Sequence, residues 1–159
     1  NILREQMDLA AELNLPVIFH CRSAHDDLIK ILNTRYQILN TGLRGVIHCF
    51  TGTAEQANEY LALGLYLGFT GIIFRQIPGI DWPEIIKAVP LERILVETDS
   101  PYLKPPISID QSNQHQSADP RNEPLFVKRV IEEIARIINL SYQEVLEITT
   151  QNARKLFNI

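Results

Sequence analysis

Pro16-Val17-Ile18-Phe19-His20 is an apolar run that ends in a side chain able to bind a metal, and the chain repeats this arrangement twice. The other two runs are Gly45-Val46-Ile47-His48 and Ile94-Leu95-Val96-Glu97-Thr98-Asp99. Short apolar runs are typical of buried strands, and in a parallel (β/α) barrel the carboxyl ends of all strands open onto one face. The three runs therefore predict two imidazoles and a carboxylate on a common face, which is most of a divalent-metal site.

Helical segments separate these runs. Residues with apolar side chains recur at helical spacing between them, and another strand is predicted from Leu65 to Phe69. Pro124 begins a further helical segment, and Ser141 with Glu144 forms a capping box for the last one. Strand and helix alternate four times with short links, which indicates an α/β fold with a parallel sheet.

Length and composition predict one domain spanning residues 1–159. The apolar content of 45% is ordinary for a globular protein, and no run approaches the roughly 18 apolar residues of a membrane span. Since no charged-then-apolar leader precedes the first helix, we expect a soluble, cytoplasmic protein without a membrane partner. Residues 101–120 are rich in Pro, Ser, Gln and Asp, and we expect a long polar loop on the active face.

The net charge of −4 argues against a protein that coats nucleic acid through a broad basic surface. It does not exclude a nuclease, because an active site needs only a local cluster of cations, and bound metal ions add charge. Cys21 and Cys49 each follow a candidate ligand histidine; we expect both to be reduced and mostly buried, with metal ligation as the alternative. His25 and His115 are expected to face solvent.

Each candidate ligand has a simpler alternative. Either histidine alone could cap a loop by hydrogen bonding. Asp99 precedes Ser100-Pro101, which ends the strand. Asp99 could instead be the N-cap of a helix, but no helix is predicted to follow it. Three strand ends with ligand chemistry favour the metal site over these separate explanations.

Two further residues are candidates for supporting roles. Glu97 lies one strand repeat deeper than Asp99, and a carboxylate inside a barrel needs a partner, so we expect it to orient a ligand. Arg22 is the best candidate for a phosphate contact, because a guanidinium forks onto phosphate oxygens. Its alternative is a salt bridge to Asp26 or Asp27.

Six motifs follow one another along the chain: His20-Cys21-Arg22-Ser23-Ala24 with Asp27, His48-Cys49-Phe50-Thr51-Gly52-Thr53, Tyr66-Leu67-Gly68-Phe69-Thr70-Gly71, Glu97-Thr98-Asp99-Ser100-Pro101-Tyr102-Leu103, Arg121-Asn122-Glu123-Pro124, and Asn152-Ala153 with Leu156-Phe157. Their order and spacing resemble the TatD family of metal-dependent deoxyribonucleases over essentially the whole chain. Together the motifs are highly specific, although any one of them alone would be weak.

The resemblance implies a fold and a ligand set. Family members are complete TIM-like (β/α)₈ barrels, and their corresponding residues bind metal, which implies ligation by His20, His48 and Asp99. The family's two-metal centre also uses a His-x-His pair on the first strand and a glutamate on the fourth, and this chain has neither. Its strands correspond to strands five to eight, so the resemblance implies the C-terminal half of a barrel, with the N-terminal half as its missing partner.

The function implied for the parent protein is divalent-metal-dependent hydrolysis of DNA phosphodiester bonds, as a deoxyribonuclease and 3′-to-5′ exonuclease. Two ions of Mg²⁺, Mn²⁺ or Zn²⁺ would be the cofactors. Asp99 would accept or orient a proton of the attacking water, while Arg22, Lys104 and Arg121 would hold the phosphate. The alternatives are an amidohydrolase-type barrel acting on another ester or amide, and an inactive truncated fragment; we expect the isolated chain to be inactive.

Overall fold

A four-stranded parallel sheet organises the computed structural model, which describes residues 2–39, 44–106 and 120–159. The strands are β1 (Val17–His20), β2 (Gly45–His48), β3 (Tyr66–Phe69) and β4 (Ile94–Val96). Each strand pairs with the next one along the chain, so the order in the sheet is β1-β2-β3-β4. The predicted parallel α/β architecture is confirmed. The strand order does not reverse within the sheet, whereas the order of a doubly wound sheet does, and this topology is consistent with part of a (β/α) barrel.

Six α-helices and three 3₁₀ helices surround the sheet in the described part of the chain. Two of the helices begin with capping boxes, at Thr53 with Gln56 and, as predicted, at Ser141 with Glu144. The α-helices are α1 (Ile2–Glu12), α2 (His25–Leu39), α3 (Ala54–Ala62), α4 (Trp82–Ala88), α5 (Val127–Ile138) and α6 (Tyr142–Phe157), and the 3₁₀ helices cover Gly71–Phe74, Leu91–Arg93 and Pro124–Phe126.

The face of the sheet that packs against the helices, called the outer face below, carries the main hydrophobic core. Successive side chains of a strand point to opposite faces, so alternate residues meet the helices. Phe19, Ile47, Leu67 and Ile94 are buried on this face, one from each strand, together with apolar side chains of the surrounding helices. Because all neighbouring strands pair in parallel, their carboxyl ends lie at one end of the sheet.

The opposite face of the sheet, called the inner face below, is packed against helix α6 on some strands and exposed on another. Near the amino ends of β2, β3 and β4, the buried side chains Val46, Tyr66 and Leu95 pack against Leu156 of α6. Ile18 occupies the equivalent position on β1, and it is 62% exposed. Helix α6 therefore covers three strands of the inner face and leaves β1 open.

Among residues 2–39, 44–106 and 120–159, no helix combines the length and the apolar character needed to cross a membrane.

Candidate metal centre

His20 and His48 end neighbouring strands at the same end of the sheet. The parallel register pairs them directly, and their ring centroids lie 5.7 Å apart with the planes tilted by 35°. Adjacent strands are separated by about 4.8 Å, so two in-register imidazoles must lie side by side. His20 is exposed and His48 is half-buried.

Asp99 reaches the same place from the turn that follows β4. Its Oδ1 lies 3.3 Å from Nε2 of His48. The residue has a φ of 58°, a left-handed conformation that residues with a side chain rarely adopt, and its carbonyl accepts a hydrogen bond from Tyr102 N at 2.8 Å. Such backbone conformations persist where surrounding contacts hold them, and they cluster at functional sites.

Glu97 holds His48 from the opposite side. Its Oε2 accepts a hydrogen bond from His48 Nδ1 at 2.5 Å, and its Oε1 accepts one from the backbone N of Cys49 at 2.7 Å. Gly68, on the strand between them, leaves the space: a Cβ there would lie 2.3 Å from Oε1. Because Nδ1 donates to the carboxylate, Nε2 is the nitrogen left to bind a metal.

The donor set fits part of a divalent-metal site. Imidazole nitrogens and carboxylate oxygens suit Zn²⁺ and Mn²⁺, and a carboxylate that accepts from the second ring nitrogen is the usual support of a metal-binding imidazole. Within the described ranges, however, no group of three or more His, Cys, Asp or Glu side chains is arranged to hold an ion by itself. His20 and Asp99 each approach His48, and joint ligation by the three stays a prediction.

The two cysteines are free, as predicted; Cys21 is buried and Cys49 is half-buried. Burial raises the pKa of Cys49 above its ordinary value, and a contact with the Thr70 hydroxyl at 3.3 Å only partly opposes this effect. Burial also raises the pKa of Cys21. Since metals bind the thiolate, both environments disfavour ligation by cysteine.

Arg22 is exposed two residues beyond the end of β1. Burial dominates the raised pKa of Cys49, and the charge of Arg22 acts on that pKa in the opposite direction. The alternative salt bridge is not formed in the described part of the chain. Asp26 accepts a hydrogen bond from Gln56 instead, and Asp27 lies 3.8 Å from Lys30.

The other predicted phosphate contacts are Lys104, which lies within the polar segment 101–120, and Arg121, which follows it. The Nζ of Lys104 lies 5.4 Å from the centroid of the Phe126 ring, a cation–π contact that directs the ammonium toward the start of α5. Arg121 is exposed beside the buried Asn122. Neither residue has a described contact with Asp99, so their roles stay predictions.

Asn122 is a residue of the site that sequence reasoning missed. It is 4% exposed, and its Nδ2 donates to the carbonyl oxygens of Thr98 and Tyr102, both at 2.7 Å. These two carbonyls flank the turn that carries Asp99. The only signal in the sequence was its place in the motif Arg121-Asn122-Glu123-Pro124.

The expectation that His25 faces solvent is wrong. Its side chain is buried, with Nδ1 3.0 Å from the Tyr60 hydroxyl and its ring edge-on to Phe50. Burial lowers the pKa of His25, since the charged form loses solvation, and burial likewise raises the pKa of Tyr60. His115 and positions 107–119 of the predicted polar loop lie outside the described residues.

Comparison with known proteins gives one consistent result. The sequence model of a family described as "TatD related DNase" matches residues 1–158. The "Uncharacterized metal-dependent hydrolase YabD" of Bacillus subtilis is 38% identical over 159 residues, which are 99% of this chain and 57% of that protein. The "3'-5' ssDNA/RNA exonuclease TatD" of Erwinia tasmaniensis is 38% identical over 154 residues, which are 97% of this chain and 56% of that protein.

A solved structure supports the same grouping. The crystal structure of YjjV, a TatD homolog from Escherichia coli, matches with a TM-score of 0.79 at 30% identity, covering 99% of this chain and 55% of that one. The chain thus spans a little over half the length of the relatives it matches.

Proposed function

This chain belongs to the TatD related DNase family, and from that premise we propose that it supplies the carboxyl-terminal half of a (β/α)₈ barrel that hydrolyses DNA phosphodiester bonds with divalent metal ions. One observation carries the proposal. His48 is fixed at Nδ1 by Glu97, while its Nε2 faces Asp99 at 3.3 Å. A neutral imidazole that donates at Nδ1 has a lone pair at Nε2, and a cation bound between that nitrogen and the Asp99 carboxylate would account for the two facing acceptors.

The uneven cover of the inner face supports the half-barrel assignment. A closed barrel fills its interior with side chains from all eight strands. Here Ile18 is 62% exposed on the edge strand β1, and Leu9, Leu13 and Leu15 are also more than half exposed on or next to α1. Four more strands with their helices would cover this side, which agrees with a chain that spans 55% to 57% of its relatives.

A bound divalent ion lowers the pKa of water toward neutrality and stabilises charge on a phosphate. The protein's own residues would orient the metal ligand, handle the proton and bind the phosphate. Glu97 holds the imidazole of His48 in one orientation and one tautomer, so that Nε2 is presented to the site. Asp99, whose Oδ1 lies 3.3 Å from that nitrogen, would accept or orient a proton, and the exposed guanidinium of Arg22 would bind a phosphate.

The test uses the complete protein that contains this chain, with 5′-labelled single-stranded DNA and either Mg²⁺ or Mn²⁺. We expect products that shorten from the 3′ end, and no products in EDTA. Comparing the cleavage rate of RNA of the same sequence with that of DNA measures whether the protein prefers ribose or deoxyribose. Hydrolysis of p-nitrophenyl acetate without cleavage of either nucleic acid would instead support the amidohydrolase-type alternative.

A further inference from the structure

The turn that carries Asp99 is in contact with two other parts of the chain, one on each side. On one side, the 3₁₀ helix Gly71–Phe74 approaches so closely that a Cβ on Gly71 would lie 1.9 Å from the carbonyl oxygen of Leu103. On the other side lies Asn122. Both Asp99 and Leu103 have left-handed backbone conformations, with φ of 58° and 56°. The turn therefore depends on its neighbours, since residues with a side chain do not favour that conformation.

Asn122 uses nearly all of its hydrogen-bonding capacity on this turn. Its two Nδ2 protons go to the carbonyls of Thr98 and Tyr102, and its backbone N donates to Pro101 O at 2.9 Å. Its Oδ1 accepts from Glu123 N at 2.9 Å. The residue before Asp99 and two residues after it are thus bonded to one buried asparagine.

We propose that Asn122 is a positioning residue that sets the place of the Asp99 carboxylate, and through it the affinity of the site for divalent metal. The inference rests on the proposed function for its metal, but it concerns a residue to which that function gives no role. Loss of the carboxamide leaves two part-buried carbonyls without their donor, and the turn relieves that cost by moving. Because Asp99 lies between the two acceptors, its carboxylate moves with them.

The chain contains a matched control. Asn152 is also buried, at 5% exposed, and its Nδ2 likewise donates to two backbone carbonyls, those of Leu91 and Ile94, both at 2.8 Å. Asn122 acts beyond the carboxyl end of β4, whereas Asn152 acts at its amino end, away from the candidate ligands. A purely structural role predicts the same behaviour for both asparagines, and a positioning role predicts a difference.

The experiment compares Asn122→Ser and Asn122→Asp with Asn152→Ser and Asn152→Asp in the complete protein. Serine keeps one donor and is the variant of choice if the aspartate variant does not fold. Each variant is characterised by its melting temperature and by Mn²⁺ affinity, measured by calorimetry on metal-stripped protein. We expect all four to melt earlier, Mn²⁺ affinity to fall about ten- to a hundredfold for the Asn122 variants, and affinity to stay within twofold for the Asn152 variants.

Equal Mn²⁺ affinity in both pairs of variants would overturn the inference. Mn²⁺ binding by the wild type without cleavage of nucleic acid would overturn the proposed function alone. If the wild type binds no Mn²⁺, hydrogen exchange of the Tyr102 amide, which donates to Asp99 O, decides the matter. Faster exchange in Asn122→Ser but not in Asn152→Ser supports positioning of Asp99, and unchanged exchange in both excludes it.

Discussion

Glu97 and His48 form the shortest polar contact of the candidate site, with Oε2 2.5 Å from Nδ1. The same carboxylate accepts from the backbone N of Cys49, so it fixes both the ring and the backbone that carries it. An imidazole held in this way presents one nitrogen in one tautomer, which is the form that a metal requires.

The first prediction concerns this contact. Glu97→Gln keeps the volume but removes the charge that holds the ring, and a carboxamide can place its NH₂ group toward Nδ1. We expect Mn²⁺ or Zn²⁺ affinity of the complete protein to fall about ten- to a hundredfold, as measured by calorimetry. Glu92→Gln, at an exposed position before β4, is the control and should leave affinity unchanged. Equal affinities of wild type and Glu97→Gln would mean that Glu97 does not support a ligand.

The second prediction separates the proposed roles of Arg22 and Asp99. Loss of a phosphate contact removes a charge-assisted hydrogen bond worth about 1.5 to 3 kcal/mol, so Arg22→Ala should raise KM for single-stranded DNA about ten- to a hundredfold with kcat little changed. Asp99→Asn should remove nearly all of kcat. The control is Arg4→Ala on the exposed face of α1, which also removes one positive charge and should change neither KM nor kcat. A normal kcat in Asp99→Asn would exclude its catalytic role.

The strand ends were predictable because the relevant signals are local. Short apolar runs, period-two alternation and parallel pairing suffice to bring His20 beside His48 and to bring Asp99 to His48. Asn122 escaped prediction because its acceptors lie 20 and 24 residues earlier in the chain, beyond any local pattern. His25 was misplaced for the same reason: its partner Tyr60 lies 35 residues away on α3, so its burial depends on tertiary packing.

The third prediction follows from the burial of His25. Burial lowers its pKa below the ordinary 6.5, while the charge of Asp26 acts in the opposite direction, and the Tyr60 hydroxyl lies 3.0 Å from Nδ1 of His25. The unfolded chain therefore binds the proton more readily than the folded one. The stability from neutral His25 is full above pH 6.5 and is lost as the pH falls below 6.5 through the lowered pKa.

Urea unfolding of the complete protein at pH 8.0, 6.5 and 5.5 measures this effect. The free energy of unfolding should fall toward acid more steeply in the wild type than in His25→Gln, which keeps polar contacts but does not titrate over this range. His20→Gln, which removes an exposed imidazole, should keep the steep fall. Parallel curves for wild type and His25→Gln would show that His25 is not the group responsible.

The fourth prediction concerns the isolated 159 residues. With Ile18 exposed on an edge strand, the free chain should self-associate at micromolar concentration and show no DNase activity with Mg²⁺, Mn²⁺ or Zn²⁺. Ile18→Lys should reduce the association, because an inward-pointing charge opposes pairing at a sheet edge. Sedimentation velocity measures both proteins. Ile159→Lys changes a more exposed isoleucine, 84% against 62%, at the end of the chain, and should have no effect. A monomeric wild-type chain with EDTA-sensitive DNase activity would contradict the half-barrel proposal.

The central claim is that His20, His48 and Asp99 contribute to one divalent-metal centre, and anomalous diffraction from crystals of the complete protein soaked in Mn²⁺ tests it most directly. We predict a peak about 2.1 Å from Nε2 of His48, with a nitrogen of His20 and an oxygen of Asp99 bound to the same ion or to a second one about 4 Å away. An Mn²⁺ peak elsewhere in the molecule, with these three side chains binding no ion, would contradict the claim.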